Sequence, residues 1–222
     1  LAKARKVKIL TGHARFLSEK ELEIKTKDKK YKLSFNNAII ATGSVSVNIP
    51  VLPNNSRRIM GSKQALDLKS IPEKLLVVGG GYIGLEMGSV YAAIGSKVTV
   101  VEMMPALLPG ADKDLVRVLQ KTLEKSIDNI MLSTKVVELT ETKNGLKVKF
   151  EGENVDQPVQ EFDRILVSVG RRPVTEGLSL ENTKITISEH GFVEVDEKLA
   201  TSDPSIFAIG DIVGGAMLAH KA

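Results

Sequence analysis

Apolar residues fall along this chain in two patterns, and the pattern changes twice. Up to about Ile71, and again after Pro173, they come in short runs; between those points continuous apolar runs alternate with segments of helical spacing. The first region predicts short strands: Val7–Ile9, then "ELEIKT" and "YKLSF" on either side of the charged turn "KDKK", then "AIIATGS". A loop rich in proline and asparagine, "NIPVLPNNS", follows. Ser62 is placed to cap a short helix, "KQALDL", which ends before Pro72.

The middle region predicts a parallel sheet, because strand and helix alternate in it. "KLLVVGG" reads as a strand buried on both faces, Tyr82 to about Ile94 as a helix, and "SKVTVVE" as the next strand. "DKDLVRVLQKTLEK" is an amphipathic helix with Leu115, Leu119 and Leu123 on one face and Asp112 placed to cap it. "VVELTETKNGLKVKFEG" predicts a hairpin turned by Asn144-Gly145, and "RILVSVG" another buried strand. After Pro173 short strands return around "GFVEVD". The chain ends in "IFAIGDIVGGAMLAHKA", an apolar strand running into Gly-Asp and a helix-like tail.

Composition narrows the function classes. The 222 residues are 42% hydrophobic and 26% charged, enough apolar material for a globular core. A net charge of +4, spread-out lysines and only 4% aromatics give no nucleic-acid signature. No apolar run reaches the roughly 18 residues that cross a bilayer, and the first residues do not read as a signal peptide. Cysteine is absent, which excludes a disulfide, a thiol nucleophile or a thiolate metal site within these residues. His13, His190 and His220 lie far apart and lack metal-ligand spacing.

One stretch carries chemistry by itself. Gly79-x-Gly81-x-x-Gly84 follows a strand and opens a helix, the context in which such glycines bind a dinucleotide. Gly79 permits the tight turn, Gly81 lets the backbone approach the pyrophosphate, and Gly84 lets helix and strand pack closely. The helix N-terminus then offers free N–H groups to the phosphates. Glu102 closes the next strand, where a carboxylate accepts hydrogen bonds from ribose hydroxyls and repels a 2′-phosphate. Met103, Met104, Pro105 and Ala106 supply no arginine to offset that repulsion, so the pattern favours NAD over NADP. The other reading of Glu102 is a solvated acid at a strand end. Glu86 is by spacing an ordinary exposed helix residue. Asp211 fits either an acid that binds sugar-like hydroxyls at the end of a strand or one that caps a helix.

Taken together, "GHARF", "AIIATGS", "GGGYIGLEMGSVYAAIG…VTVVE", "LVSVGRRP" and "TSDPSIFAIGDIVGGAMLAHKA" resemble the flavoprotein pyridine nucleotide–disulfide oxidoreductases. "LLPGADKDL" and "MLAHKA" are most similar to the dihydrolipoamide dehydrogenase branch of that family, rather than the glutathione, thioredoxin or mercuric reductases. The resemblance implies an α/β fold: a Rossmann-like NAD-binding domain at 72–173, with a parallel sheet and an antiparallel meander. It would be inserted in a partial, discontinuous FAD-binding domain at 1–71 and 174–222. It implies that Gly79, Gly80, Gly81, Tyr82, Ile83, Gly84 and Glu86 hold NAD, with Glu102 on the ribose, Val137 against the adenine and Gly170 at the nicotinamide end. For FAD it implies Ala14 at the adenine, Thr42, Gly43 and Ser44 along the flavin nucleotide, and Asp211 at the ribityl or pyrophosphate region. Met217, Leu218, Ala219 and His220 would run beside the isoalloxazine.

The family also has its own opening FAD fingerprint, a redox-active cysteine pair and a C-terminal interface domain with a His–Glu pair, and these residues contain none of them. The expectation is therefore an internal part of a longer enzyme, which would bind NAD and be catalytically incompetent alone. The parent enzyme would reoxidise dihydrolipoyl groups through a disulfide and FAD, with hydride transfer to NAD. Its partners would be the lipoyl domain of a 2-oxo acid dehydrogenase complex and a second copy of itself, in the cytoplasm or the mitochondrial matrix. Two alternatives remain open: a different disulfide reductase of the same superfamily, or a non-enzymatic nucleotide-binding module.

Overall fold

A computed structural model describes residues 1–52, 56–153 and 155–218. The chain forms two compact units, one made of Leu1–Val45 with Arg171–Ala222 and the other of Ser46–Gly170.

In the first unit β1 (His13–Ser18), β2 (Glu21–Lys25) and β3 (Lys30–Ser34) form an antiparallel meander. The predicted strand at Val7–Ile9 does not form; Val7 and Ile9 are exposed and pair with no strand. β4 (Ala38–Ile40) pairs in parallel with β15 (Ile206–Ala208), so two segments far apart in sequence end side by side. A second short pair joins β5 (Ser44–Ser46) to β14 (Arg171–Pro173). The core gathers Phe16, Ile40, Leu180, Val193, Ile206 and Ile212. Around "GFVEVD" the expected strands reduce to a single bridge between Ile187 and Val193. The backbone here pairs locally through a turn, with Gly191 N–H to Ser188 O and Ser188 N–H to Phe192 O, and Val193 N–H reaches the distant Ile212 carbonyl.

The second unit has three layers. Its centre is a five-stranded sheet in the order β6 (Ile59–Met60), β13 (Arg164–Val167), β7 (Lys74–Val78), β8 (Lys97–Val101), β9 (Asn129–Met131), with every pairing parallel. Leu75, Val77, Val98 and Val100 face α1 (Ser62–Leu66), α2 (Tyr82–Ala93) and α3 (Lys113–Leu123). Leu76, Val78, Val101 and Ile165 face the antiparallel meander β10 (Thr134–Glu141), β11 (Leu146–Gly152), β12 (Val159–Phe162). Both faces of the sheet are buried, which is why these strands read as continuous apolar runs. The unit begins at Ser46, ahead of the expected boundary at 72, because β6 adds an edge to the sheet and α1 packs on α2.

Four local expectations change. The N-cap of α1 is Gly61, not Ser62; the Gln64 side chain accepts its N–H at 3.1 Å. Asp112 is the N-cap of α3, but its side chain makes no capping hydrogen bond. The inward stripe of α3 is Val116 and Leu123, while Leu115 is 69% exposed, so of the expected leucine face only Leu123 is buried. The hairpin at 144–145 forms, but not as a two-residue turn: Thr142 to Gly145 make a four-residue loop between the paired Glu141 and Leu146. Its closure is the Thr142 N–H to Gly145 carbonyl bond, and the Thr142 hydroxyl takes the Gly145 N–H. A bonding side chain at the loop's first position selects the longer form.

Candidate functional site: a glycine turn and a three-segment polar cluster

β7, α2 and β8 form one strand–helix–strand pass, and the connection from β7 to α2 lies at the carboxyl ends of the parallel strands, where α/β sheets bind ligands. Gly79 sits at φ +110°, and a Cβ there would meet the Ser168 carbonyl at 2.5 Å. Gly84 is equally confined: a Cβ would run into the Gly79 carbonyl and come within 2.6 Å of the Ser168 hydroxyl. Around Gly81 there is open space, which leaves the backbone approachable from solvent. Gly81 is the N-cap of α2, whose first intrahelical bond is Leu85 N–H to the Gly81 carbonyl. The amides of Tyr82, Ile83 and Gly84 therefore precede the helical ladder and carry the positive end of its dipole.

Glu102 is tied to that turn. One carboxylate oxygen accepts the Gly80 N–H at 2.7 Å and the other accepts the Met104 N–H at 2.8 Å. Its own N–H bonds Met131 and its carbonyl accepts from Thr134, which anchors β10 beside it. Val137 lies three residues along that strand at a β-bulge, where register slips between Val136 and Glu138. A bulge re-aims side chains. Glu86 is exposed on the second turn of α2. Gly170, at φ +126°, ends this unit two residues beyond Ser168.

Sequence reasoning missed two supports of the turn. The Ser168 hydroxyl donates to the Val78 and Gly79 carbonyls at 3.1 and 3.2 Å. Leu107 is buried against Gly80, and the Leu108 N–H reaches the Gly80 carbonyl at 2.9 Å. The signal was present for Ser168, a small polar residue closing a buried strand; nothing in "LLPG" marked Leu107.

The first unit holds a second polar site. Thr42, Gly43 and Ser44 leave the end of β4, and Asp211 leaves the end of β15 on the first turn of a 3₁₀ segment, Gly210–Val213. The Thr42 hydroxyl donates to the Val174 carbonyl at 2.8 Å, and Val174 N–H returns to the Gly43 carbonyl at 3.0 Å. The Ser44 hydroxyl donates to Asp211 Oδ2. Arg171, another residue the pattern did not single out, donates from Nε to the Ser44 hydroxyl at 2.6 Å and from a terminal nitrogen to the Ser44 carbonyl at 2.7 Å. Ala14 is exposed on β1, in a different sheet from Thr42–Ser44. Met217, at φ +47°, and Leu218 are half-buried beyond the 3₁₀ segment; Ala219 and His220 lie outside the described residues. Among the described residues no group of acids and histidines is arranged to hold a metal, and no helix is long and apolar enough to cross a membrane.

The profile of the pyridine nucleotide-disulphide oxidoreductase family matches residues 1–222. The chain belongs to that family. Members of it that the chain resembles include the dihydrolipoyl dehydrogenase of Vibrio cholerae, 42% identical over 221 residues, which are 100% of this chain and 46% of that protein. The dihydrolipoyl dehydrogenase of Haemophilus influenzae is 43% identical over 222 residues, again 100% and 46%. The chain thus spans about half the length of the curated relatives it matches. Among solved structures, the Cu(II) complex of the HOCl-induced flavoprotein disulfide reductase RclA from Escherichia coli superposes with TM-score 0.90 at 29% identity, covering 100% of this chain and 49% of that one. LpdA from Mycobacterium tuberculosis gives 0.87 at 26%, covering 99% and 49%. The family expected from the sequence motifs is therefore the family found, and its α/β fold with parallel and antiparallel strands is the fold observed.

Proposed function

We propose that this chain supplies the NAD-binding unit and two flavin-contacting segments of a flavoprotein that reoxidises dihydrolipoyl groups. The observation that carries the reading is the Glu102 carboxylate, held by the Gly80 and Met104 amides at the mouth of the glycine turn. A carboxylate has about four acceptor positions, so two remain for ribose hydroxyls. The turn, the free amides of α2 and Glu102 together fit a pyrophosphate followed by an adenosine ribose. The same carboxylate opposes a 2′-phosphate, and Met103 to Ala106 bring no cation, so NAD is preferred to NADP.

The Thr42–Ser44 and Asp211 segments fit a flavin nucleotide by their donor chemistry. Asp211 has one oxygen engaged by Ser44, and as an anion it suits a polyol hydroxyl better than a phosphate. FAD, when bound, supplies the two-electron relay between a dithiol and the nicotinamide. With no cysteine in its 222 residues, the chain holds no thiol to exchange with that dithiol, and its share of the reaction is to bind and orient nucleotides. In this reading the dithiol arrives on a lipoyl domain of a 2-oxo acid dehydrogenase complex, and the working enzyme is a homodimer.

The test is a fluorescence titration of the purified chain with NADH and with NADPH. Saturable binding that favours NADH by about tenfold, and falls by about the same factor in Glu102→Ala, is the expected result. Equal affinity for the two nucleotides would overturn the ribose role of Glu102, and binding of neither would remove the NAD assignment from this chain.

A further inference from the structure

Arg171 touches both halves of the second polar site. Its Nε donates to the Ser44 hydroxyl at 2.6 Å, a terminal nitrogen donates to the Ser44 carbonyl at 2.7 Å, and Nε lies 3.7 Å from Asp211 Oδ2. The Ser44 hydroxyl has one proton, and it goes to Asp211. That hydroxyl is therefore fixed from both sides, accepting from Arg171 and donating to Asp211. Three segments meet here, and Ser44 is 127 residues from Arg171 and 167 from Asp211 in sequence. The arginine and aspartate side chains are only 26% and 21% exposed, so the pair is partly shielded from water.

We propose that Arg171 is a positioning residue of the flavin-contacting site, resting on the reading of Thr42–Ser44 and Asp211 given above. Its planar fork seats on the side-chain and main-chain oxygens of Ser44, and through Ser44 it sets the plane of the Asp211 carboxylate. Asp211 Oδ1 is then left pointing in one direction as an acceptor for a hydroxyl of FAD. Arg171 also balances the Asp211 charge, which would otherwise oppose a nearby pyrophosphate. A lysine supplies the charge but not the two-point seat, because an ammonium is a single point on a flexible stem. Arg171 is thus separable from a residue that merely neutralises.

The experiment is an equilibrium titration of the full chain with FAD, followed by flavin fluorescence, for wild type, Arg171→Lys and Arg171→Met. The same proteins are titrated with NADH as a control on the other unit. Amide exchange is followed without nucleotide at Val174 and Gly214, whose N–H groups bond Gly43 and Asp211 carbonyls. The expected result is a loss of FAD affinity of about tenfold in Arg171→Met and a smaller loss in Arg171→Lys, with NADH binding unchanged. Both amides should exchange faster in Arg171→Met. In a Ser44→Ala, Asp211→Asn background the Arg171→Met loss should shrink to less than about twofold, since the arginine acts through those two groups. FAD affinity within about twofold of wild type in Arg171→Met, or a full loss that persists in the double background, would overturn the proposal. If the wild-type chain takes up no FAD, the flavin reading of the site fails. Exchange alone then judges Arg171: unchanged protection overturns its positioning role, and faster exchange upholds it.

Discussion

The two candidate sites are built from opposite kinds of sequence. At the glycine turn, the bond that places the carboxylate joins Gly80 to Glu102, 22 residues apart on a single strand–helix–strand pass, and the Ser168 hydroxyl adds a support from 89 and 90 residues away. In the polar cluster the bonds span 127 and 167 residues and depend on the pairing of β4 with β15 and of β5 with β14. The first site follows from local rules, because a parallel pair joined by one helix brings the end of each strand to the same edge. The second exists only after distant segments have paired. The difference teaches that a site can be chemically simple and still be invisible in sequence, if its members are set by topology.

The sharpest way to break the comparison is to crowd the local site. Gly84→Ala puts a methyl group into the Gly79 carbonyl and the Ser168 hydroxyl, and backbone cannot step aside as a flexible side chain can. We expect a loss of about 3 kcal/mol in urea denaturation of the Ser46–Gly170 unit and no measurable NADH binding. Protection of the Val174 amide in the other unit should stay as in wild type. Coincident loss in both units would mean that the two sites do not stand apart energetically.

A smaller effect is expected from the assembled site. Ser44→Ala removes the hydroxyl between Arg171 and Asp211 but leaves the Arg171 bond to the Ser44 carbonyl position available. The two charges then face each other directly with one donor and one acceptor poorly met. Unfolding followed by exchange in the first unit should show a loss of about 1–2 kcal/mol, with NADH affinity unchanged. A stability equal to wild type would show that the cluster is arranged by the strands alone.

The same contrast explains what was legible. The parallel strands, α2, the hairpin and the glycine turn were readable because each rests on period, turn chemistry or a fixed spacing. Glu102 was readable because the strand that carries it has a fixed length. Arg171 was not, since it lies in a loop-like "GRRP" and gains its partners only when β14 meets β5. Leu115, Leu119 and Leu123 matched helical spacing, yet Val116 went inward, because the sheet beneath chose the rotation of the helix. Val7–Ile9 failed as a strand because it pairs with none: the sheet that follows it is closed on β1, β2 and β3 alone, and Val7 and Ile9 stay exposed. The capping serine at 62 failed by one position, as Gly61 and the Gln64 side chain close the helix start without it.

The gentlest probe asks how far the glycine turn depends on what lies behind its helix. Tyr91, near the far end of α2, is 1% exposed and donates its hydroxyl to the Ala65 carbonyl of α1 at 2.9 Å. Burial raises its phenol above the ordinary value of 10.0, with Arg164 pulling weakly the other way. A raised value means that the folded state holds the proton more tightly than the unfolded chain does. The phenol's contribution is therefore fully present below pH 10.0 and is lost as pH climbs through the higher folded value. Tyr91→Phe should cost about 1 kcal/mol at neutral pH, the net worth of one hydrogen bond, and should flatten the alkaline decline seen in wild type. Urea midpoints at neutral pH and above pH 10.0 measure both effects. NADH affinity should not move, because the Gly79–Gly84 turn and Glu102 are held by β7, β8, Ser168 and Leu107 rather than by α1. If affinity falls with stability, the nucleotide site draws on α1 as well, and the local account of it must widen to include the β6–α1 segment that precedes the sheet.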